Sequence, residues 1–296
     1  IDICTAQYPY IEKSVWNKKK QKYEAKRIKT NQLNKFVRRI FSRGSWQLGG
    51  RFHGGFWQRI NEEERKAIYI NGKPTSEQDY SGLHINLLYG LKKHQPAQED
   101  HYVVDHVLQE FSKEEQRKIV KELILVALNA NSPRSAFSAF RHEQVKGSKA
   151  KALKDNQLTL LLDAFKAKHP LIKDDLYTGV GNTLMNIDGR ITASVINHFT
   201  KKDIPVLTIH DSYIVERAYE VELMDVMNQS ISNELDGYKI NIKKEVISSN
   251  QIQSMKNMVP ISEKEDFSYS SVTSFKETKE YKARENNHNQ WLKEYI

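Results

Sequence analysis

Two aspartates stand where a charge is expensive. Asp211 follows His210 inside Pro205–Glu216, which reads as two short apolar strands around a polar centre, and Asp79 lies at the end of the strand-like stretch Gln78–Ser81. A carboxylate in such a partly buried setting must be paired or must coordinate a cation. Two of them meeting on adjacent strands make a hard-oxygen site suited to magnesium. Taken singly, each is also the kind of residue that closes a turn or caps a helix. Arg117 and Lys121, four apart, project from one helical face with Lys118 on its flank, and Leu125 and Asn129 continue that face. Two cations so placed suit a polyphosphate, or else form an exposed basic stripe. Arg51 follows Gly49-Gly50 in the glycine- and aromatic-rich run from Arg43 to Trp57. Either the backbone there approaches a ligand closely, or a tight turn packs on Trp46 and Trp57.

The elements that must position these groups are partly legible. Residues 67–70 and 78–81 read as strands flanking a turn at Asn71-Gly72-Lys73-Pro74. Helices are expected over 84–91, over 103–111, and from about Glu114 to Asn129. The last is introduced by the capping signature Ser112-Lys113-Glu114-Glu115 and stopped at Ser132-Pro133. Residues 135–168 are helix-prone and basic, and 184–199 form a further amphipathic helix. From Lys13 to Arg43 the chain is crowded with Lys and Arg, interleaved with Trp16, Tyr23, Phe36 and Phe41, and holds one acid, Glu24. Ile28, Leu33, Phe36, Val37 and Ile40 recur at roughly helical intervals, so one or two amphipathic helices are expected there, their basic face either solvated or on a phosphate backbone. Beyond about Ser262 the composition turns polar and reads as an extended tail.

Composition narrows the partners. The chain has 296 residues, with 46 Lys and Arg against 37 Asp and Glu, for a formal charge of +9. The isoelectric point near 9.3 favours a polyanion: RNA, DNA or an anionic membrane. A membrane span is not expected, since the longest apolar run, near 123–128, falls far short of the roughly 20 residues required. The single cysteine, Cys4, excludes an internal disulfide and a thiolate cluster for zinc, so a cytoplasmic setting is expected. No signal-peptide pattern opens the chain, which begins at Ile1, as it would if upstream residues had been removed. Neither a Gly-x-x-x-x-Gly-Lys-Ser/Thr loop nor a His-Glu-x-x-His pair occurs, which counts against a P-loop NTPase and a zinc hydrolase.

The order of the pieces is more specific than any one of them. Gly50-Arg51, then Asp79-Tyr80-Ser81, then Glu115-Gln116-Arg117 with Lys121, then His210-Asp211 resembles the motif order of family A DNA polymerases and of the related phage-type single-subunit RNA polymerases, over roughly residues 49–216. The resemblance implies two magnesium ions, replaceable by manganese, on Asp79, Asp211 and the backbone carbonyl of Tyr80. It implies that Arg117 and Lys121 grip the triphosphate, Lys121 also serving catalysis, and that Arg51 and His210 lie near the primer terminus. His84, Tyr80, Leu125 and Asn129 would then border the nucleotide.

Several positions depart from the family. His84 replaces a glutamate that excludes ribonucleotides, Asn86 an arginine, Leu125 an aromatic, and Asn129-Ala130 a Tyr-Gly pair. Ser212 stands where DNA polymerases have glutamate and phage-type RNA polymerases have serine. No acidic pattern for a proofreading exonuclease is present.

The fold implied is α+β, a right-hand polymerase. Residues 1–48 would be a reduced, basic, helical thumb, 49–92 and 184–260 an antiparallel palm sheet, 93–183 helical fingers, and 261–296 a polar tail. The activity implied is DNA polymerisation on a nucleic-acid primer-template from dNTPs, as a monomer, with replication proteins as possible partners and a phage or mobile element as source. RNA synthesis or priming from NTPs is an alternative, and so is a non-catalytic basic nucleic-acid-binding protein derived from a polymerase.

Overall fold

The computed structural model describes residues 3–5, 10–17, 22–29, 34–66, 68–96 and 99–244. In chain order the strands are β1 (Ile3–Thr5), β2 (Tyr10–Asn17), β3 (Lys22–Lys29), β4 (Arg38–Ser42), β5 (Ser45–His53), β6 (Ile68–Ile70), β7 (Lys73–Tyr80), β8 (Leu207–Ile209), β9 (Ser212–Glu216) and β10 (Ile242–Lys244). The α-helices are α1 (Glu62–Arg65), α2 (Leu83–Leu91), α3 (Lys113–Ala127), α4 (Pro133–Glu143), α5 (Asp155–Lys168), α6 (Gly181–Thr200) and α7 (Glu220–Glu234). The chain is thus a mixed α/β protein, and its polar tail from 261 lies outside the described residues.

An antiparallel sheet of order β1-β6-β7-β9-β8, with β10 also on β7, carries the site. The β6–β7 hairpin turns at Asn71-Gly72, whose φ angles of 50° and 71° are the left-handed pair a two-residue turn demands. Lys73 and Pro74 already belong to β7, with Pro74 opposite Tyr69, so the turn is two residues shorter than expected. Along β9 the buried residues alternate between faces. Tyr213 and Val215 join the main core, while Ile214 joins a smaller cluster with Phe56, Trp57, Ile68 and Ile70. With both faces covered, a period-2 strand reads as one apolar run.

The helices follow the same logic. In α3, Ile119, Val120, Leu123, Ile124 and Ala127 bury one face, and Ser112 with Glu115 closes the expected capping box. Helix α6 lies against β5 at the distance of a backbone contact. A methyl at Gly189 would run into the Gly50 carbonyl oxygen. Gly49 and Gly50 take φ of 68° and 93°, and Asn186 donates to the Trp46 and Gly49 carbonyls at 2.9 and 3.1 Å. The glycine-rich run is therefore a helix-docking strand; Trp57 is buried in it, whereas Trp46 is exposed.

Two stretches expected to be helical are not. The basic N-terminal stretch forms the antiparallel pairs β2–β3 and β4–β5. The helical intervals there span separate elements, and β2, with Tyr10, Ile11, Val15 and Trp16, carries the β-branched and aromatic residues that favour a pleated chain. Residues 103–111 also take no regular helix. The Gln116 side chain accepts from Val107 N and Leu108 N, both at 3.0 Å, and donates to the Asp105 carbonyl at 2.9 Å. It thus supplies what helical hydrogen bonds would have supplied. Ser132 and Pro133, expected to stop α3, cap and open α4 instead.

Candidate active site

The two aspartates meet as expected. Asp79 is directly opposite Ser212 in the β7–β9 ladder, and Tyr80 N donates to the Asp211 carbonyl at 3.2 Å. His210 and Asp211 are the two-residue loop between the paired Ile209 and Ser212. His210 takes a φ of 56°, a left-handed conformation that side chains other than glycine adopt at a cost. Burial, and next the Asp211 charge, raise the Asp79 carboxyl to about 7, with Lys121 and Lys243 opposing. A carboxyl raised by burial and by a neighbouring acid is relieved by a hard cation. Among the described residues no group of three or more His, Cys, Asp and Glu is arranged to hold a metal. Further protein oxygens at the cavity come from main-chain carbonyls and from neutral side chains such as Ser81. Tyr80 offers only its main chain, because its buried hydroxyl donates to the Met227 carbonyl at 2.6 Å.

A cavity of about 570 Å³ opens over the pair, lined also by Arg51, Ser81, His84, Lys121 and Leu125. The buried Ser81 hydroxyl has no hydrogen-bond partner. Arg51, set by the β5 glycines, is ion-paired with Asp188 of α6 and donates to His84 Nε2 at 2.9 Å. An arginine can only donate, so His84 Nε2 accepts and its proton sits on Nδ1. Burial and then the Arg51 charge push the imidazole down to about 3, so it is neutral. Asp188 is fully buried. Burial raises its carboxyl to about 6 even though Arg51 pulls the other way.

The cations are arranged less simply than their spacing implied. Lys121 lines the cavity and makes no ion pair among the described residues. Arg117 also lines it, but its Nε and one terminal nitrogen both donate to Asp100, at 2.7 and 2.6 Å. Asp100 belongs to a loop fastened from below, where the Lys168 ammonium donates to the Asp100 and Val103 carbonyls, both at 2.7 Å. Asn86 donates to the Ser81 carbonyl at 2.7 Å and contacts His101 Nε2 at 2.9 Å, tying α2 to the same loop.

The cavity brings together Arg51, Asp79, Tyr80, His84, Arg117, Lys121, Leu125 and Asp211. Asn129 and His210 are not among its lining residues. Asn129 donates to the Leu125 carbonyl at 3.0 Å and borders a second hollow between α3 and α4, while the His210 ring packs edge-on against His53 at 5.4 Å. Asp188, Asp100 and Lys243 were not singled out from sequence. Asp188 left a signal, an acid on the stripe of Leu184, Ile187, Ile191 and Val195. Asp100 and Lys243 left none, because their positions depend on where distant segments pack.

No protein-family model matches the chain, and no curated protein matches it. Among solved structures it is similar to the POL domain of Pol1 from M. smegmatis in complex with DNA primer-template and dNTP, at 12% identity and a TM-score of 0.43. That match covers 68% of this chain and 46% of the other, so this chain spans less than half the length of that structure. No helix among the described residues is long and apolar enough to cross a membrane.

Proposed function

We propose that the chain is a template-directed nucleotidyltransferase of the family A type, extending a primer with dNTPs. The observation that carries this is the Asp79–Asp211 pair, side by side on β7 and the β8–β9 loop, at a cavity also lined by Lys121, which makes no ion pair among the described residues. Phosphoryl transfer asks mainly for positioning and charge neutralisation, and a half-buried acid pair at a cavity lined by basic groups suits that task. Magnesium held by Asp79, Asp211 and main-chain oxygen would lower the pKa of the primer hydroxyl and offset charge on the leaving pyrophosphate. Lys121 would neutralise the triphosphate and hand a proton to the departing oxygen. Arg51 keeps N–H groups beyond the two that hold Asp188 and His84, and these would meet the primer terminus. His84, neutral and locked as an acceptor, presents no carboxylate to the sugar, so ribose discrimination would be weaker than a glutamate gives. Base choice would come from the template.

The test is extension of a labelled primer-template with magnesium and either dNTPs or NTPs, with Asp211→Asn alongside. Extension that falls by at least about a thousandfold in the variant is expected. Extension with NTPs only would favour the RNA-polymerase or primase alternative. Tight duplex binding with no extension under any condition would refute catalysis and leave a non-catalytic nucleic-acid-binding protein.

A further inference from the structure

The cation set over the aspartate pair is not the one the helix spacing implied. Of the two basic residues on the α3 face, Arg117 has its fork closed on Asp100, a carboxylate in the position an anionic ligand would take. That leaves Lys121 alone on the helix side, too little charge for a triphosphate carrying about four negative charges near neutral pH. Two further lysines line the cavity, Lys239 and Lys243, and of these Lys243 lies in the sheet beside the aspartate pair. Lys243 of β10 stands directly opposite Asp79 in the β7–β10 ladder, lines the same cavity, is exposed, and makes no ion pair among the described residues. Its charge acts on both Asp79 and Asp100. Next to it, Ser81 N donates to the Asn241 carbonyl at 2.8 Å, fixing this edge of β10 against the turn before α2.

We infer that Lys243 is a polyphosphate-binding residue: it and Lys121, from opposite sides of the aspartate pair, hold the triphosphate tail of the nucleotide, while Arg117 anchors the Asp100 loop. This rests on the nucleotidyl-transfer role proposed above. Lys243 lies beyond every motif that carried the family resemblance, so the grip is divided between helix and sheet. An ammonium on a flexible stem suits this task, since it can follow a phosphate as it leaves.

Calorimetric titration of the full chain with tripolyphosphate and magnesium chloride is the direct test, run with Lys243→Gln and with Lys118→Gln, an exposed α3 lysine outside the cavity. Thermal unfolding would verify that both variants are folded. Lys243→Gln is expected to weaken tripolyphosphate binding about tenfold or more, with duplex affinity and its salt dependence unchanged and Lys118→Gln neutral. Unchanged tripolyphosphate binding in Lys243→Gln overturns the inference, and so does a loss confined to the duplex, which would make Lys243 a backbone contact. Primer extension separates the two proposals. A chain that extends primers with the same KM for dNTP in Lys243→Gln keeps the polymerase role and loses this residue. A chain that never extends but binds tripolyphosphate through Lys243 loses the polymerase role and keeps the phosphate site.

Discussion

Replacing Asp79 by asparagine should stabilise the protein, by an amount that depends on pH in one direction only. Folding moves this carboxyl from its ordinary 3.8 to about 7, so between those values the folded chain binds a proton that the unfolded chain does not. Stability therefore falls as pH rises through that window, and the full penalty is present above about 7. The shift of about three units corresponds to a ceiling of about 4 kcal/mol at pH 8 in the absence of a divalent cation, and to about half of that at pH 5.5. The amide of the Asp79→Asn variant keeps the shape of the carboxyl and cannot ionise. Urea unfolding of both proteins in EDTA from pH 5.5 to 8.5 should show the variant's advantage growing by about 2 kcal/mol across the range. In thermal unfolding at pH 8 the gain would be on the order of 10 °C. The change with pH isolates the carboxylate from any packing difference between Asp and Asn. Magnesium should narrow the gap by stabilising the wild type alone. An advantage that stays flat with pH, or an Asp79→Asn variant less stable at pH 8 than at pH 5.5 relative to wild type, would refute the claim that the acid pair is held at a cost.

Arg51→Ala leaves Asp188 buried without its cation and should cost about 3 kcal/mol in urea unfolding, with Arg51→Ala/Asp188→Asn recovering at least half; no recovery would mean that Arg51 matters for packing rather than charge. Gly189→Ala should cost about 2 kcal/mol or more in thermal unfolding, since its methyl would overlap the Gly50 carbonyl; a variant of unchanged Tm would show that α6 does not rest on β5.

Local signals carried much of this architecture. The Asn-Gly hairpin, the Ser112–Glu115 capping box and the apolar stripe of α6 each depend on neighbouring residues, and each lies close to where sequence placed it. In the basic N-terminal segment the helical period runs across what are separate strands, and over 103–111 Gln116 replaces helical hydrogen bonds from outside the segment. At the site, the aspartates and Lys121 were readable as charges set among apolar strands or on a helix face. What was not readable is pairing at a distance. Whether Arg117 is free or closed on Asp100, and whether Lys243 faces Asp79, depends on a loop anchor and a strand register that no short window contains.

The β7–β9 ladder also sets an order of events during synthesis. Asp79 leaves the ribosome with β6 already beside its strand, but the partner edge for β7 is made roughly 130 residues later. At about 5 to 20 residues per second, that strand waits on the order of ten seconds with an open edge, long enough for a foreign strand to pair with it. The helices α2 to α6 are emitted in that interval, and they can form locally and cover one face of the open sheet before β9 arrives. Chains halted before residue 211 would expose the β7 edge and hold half of the acid pair, so truncated products of this protein should aggregate rather than accumulate as partly active forms.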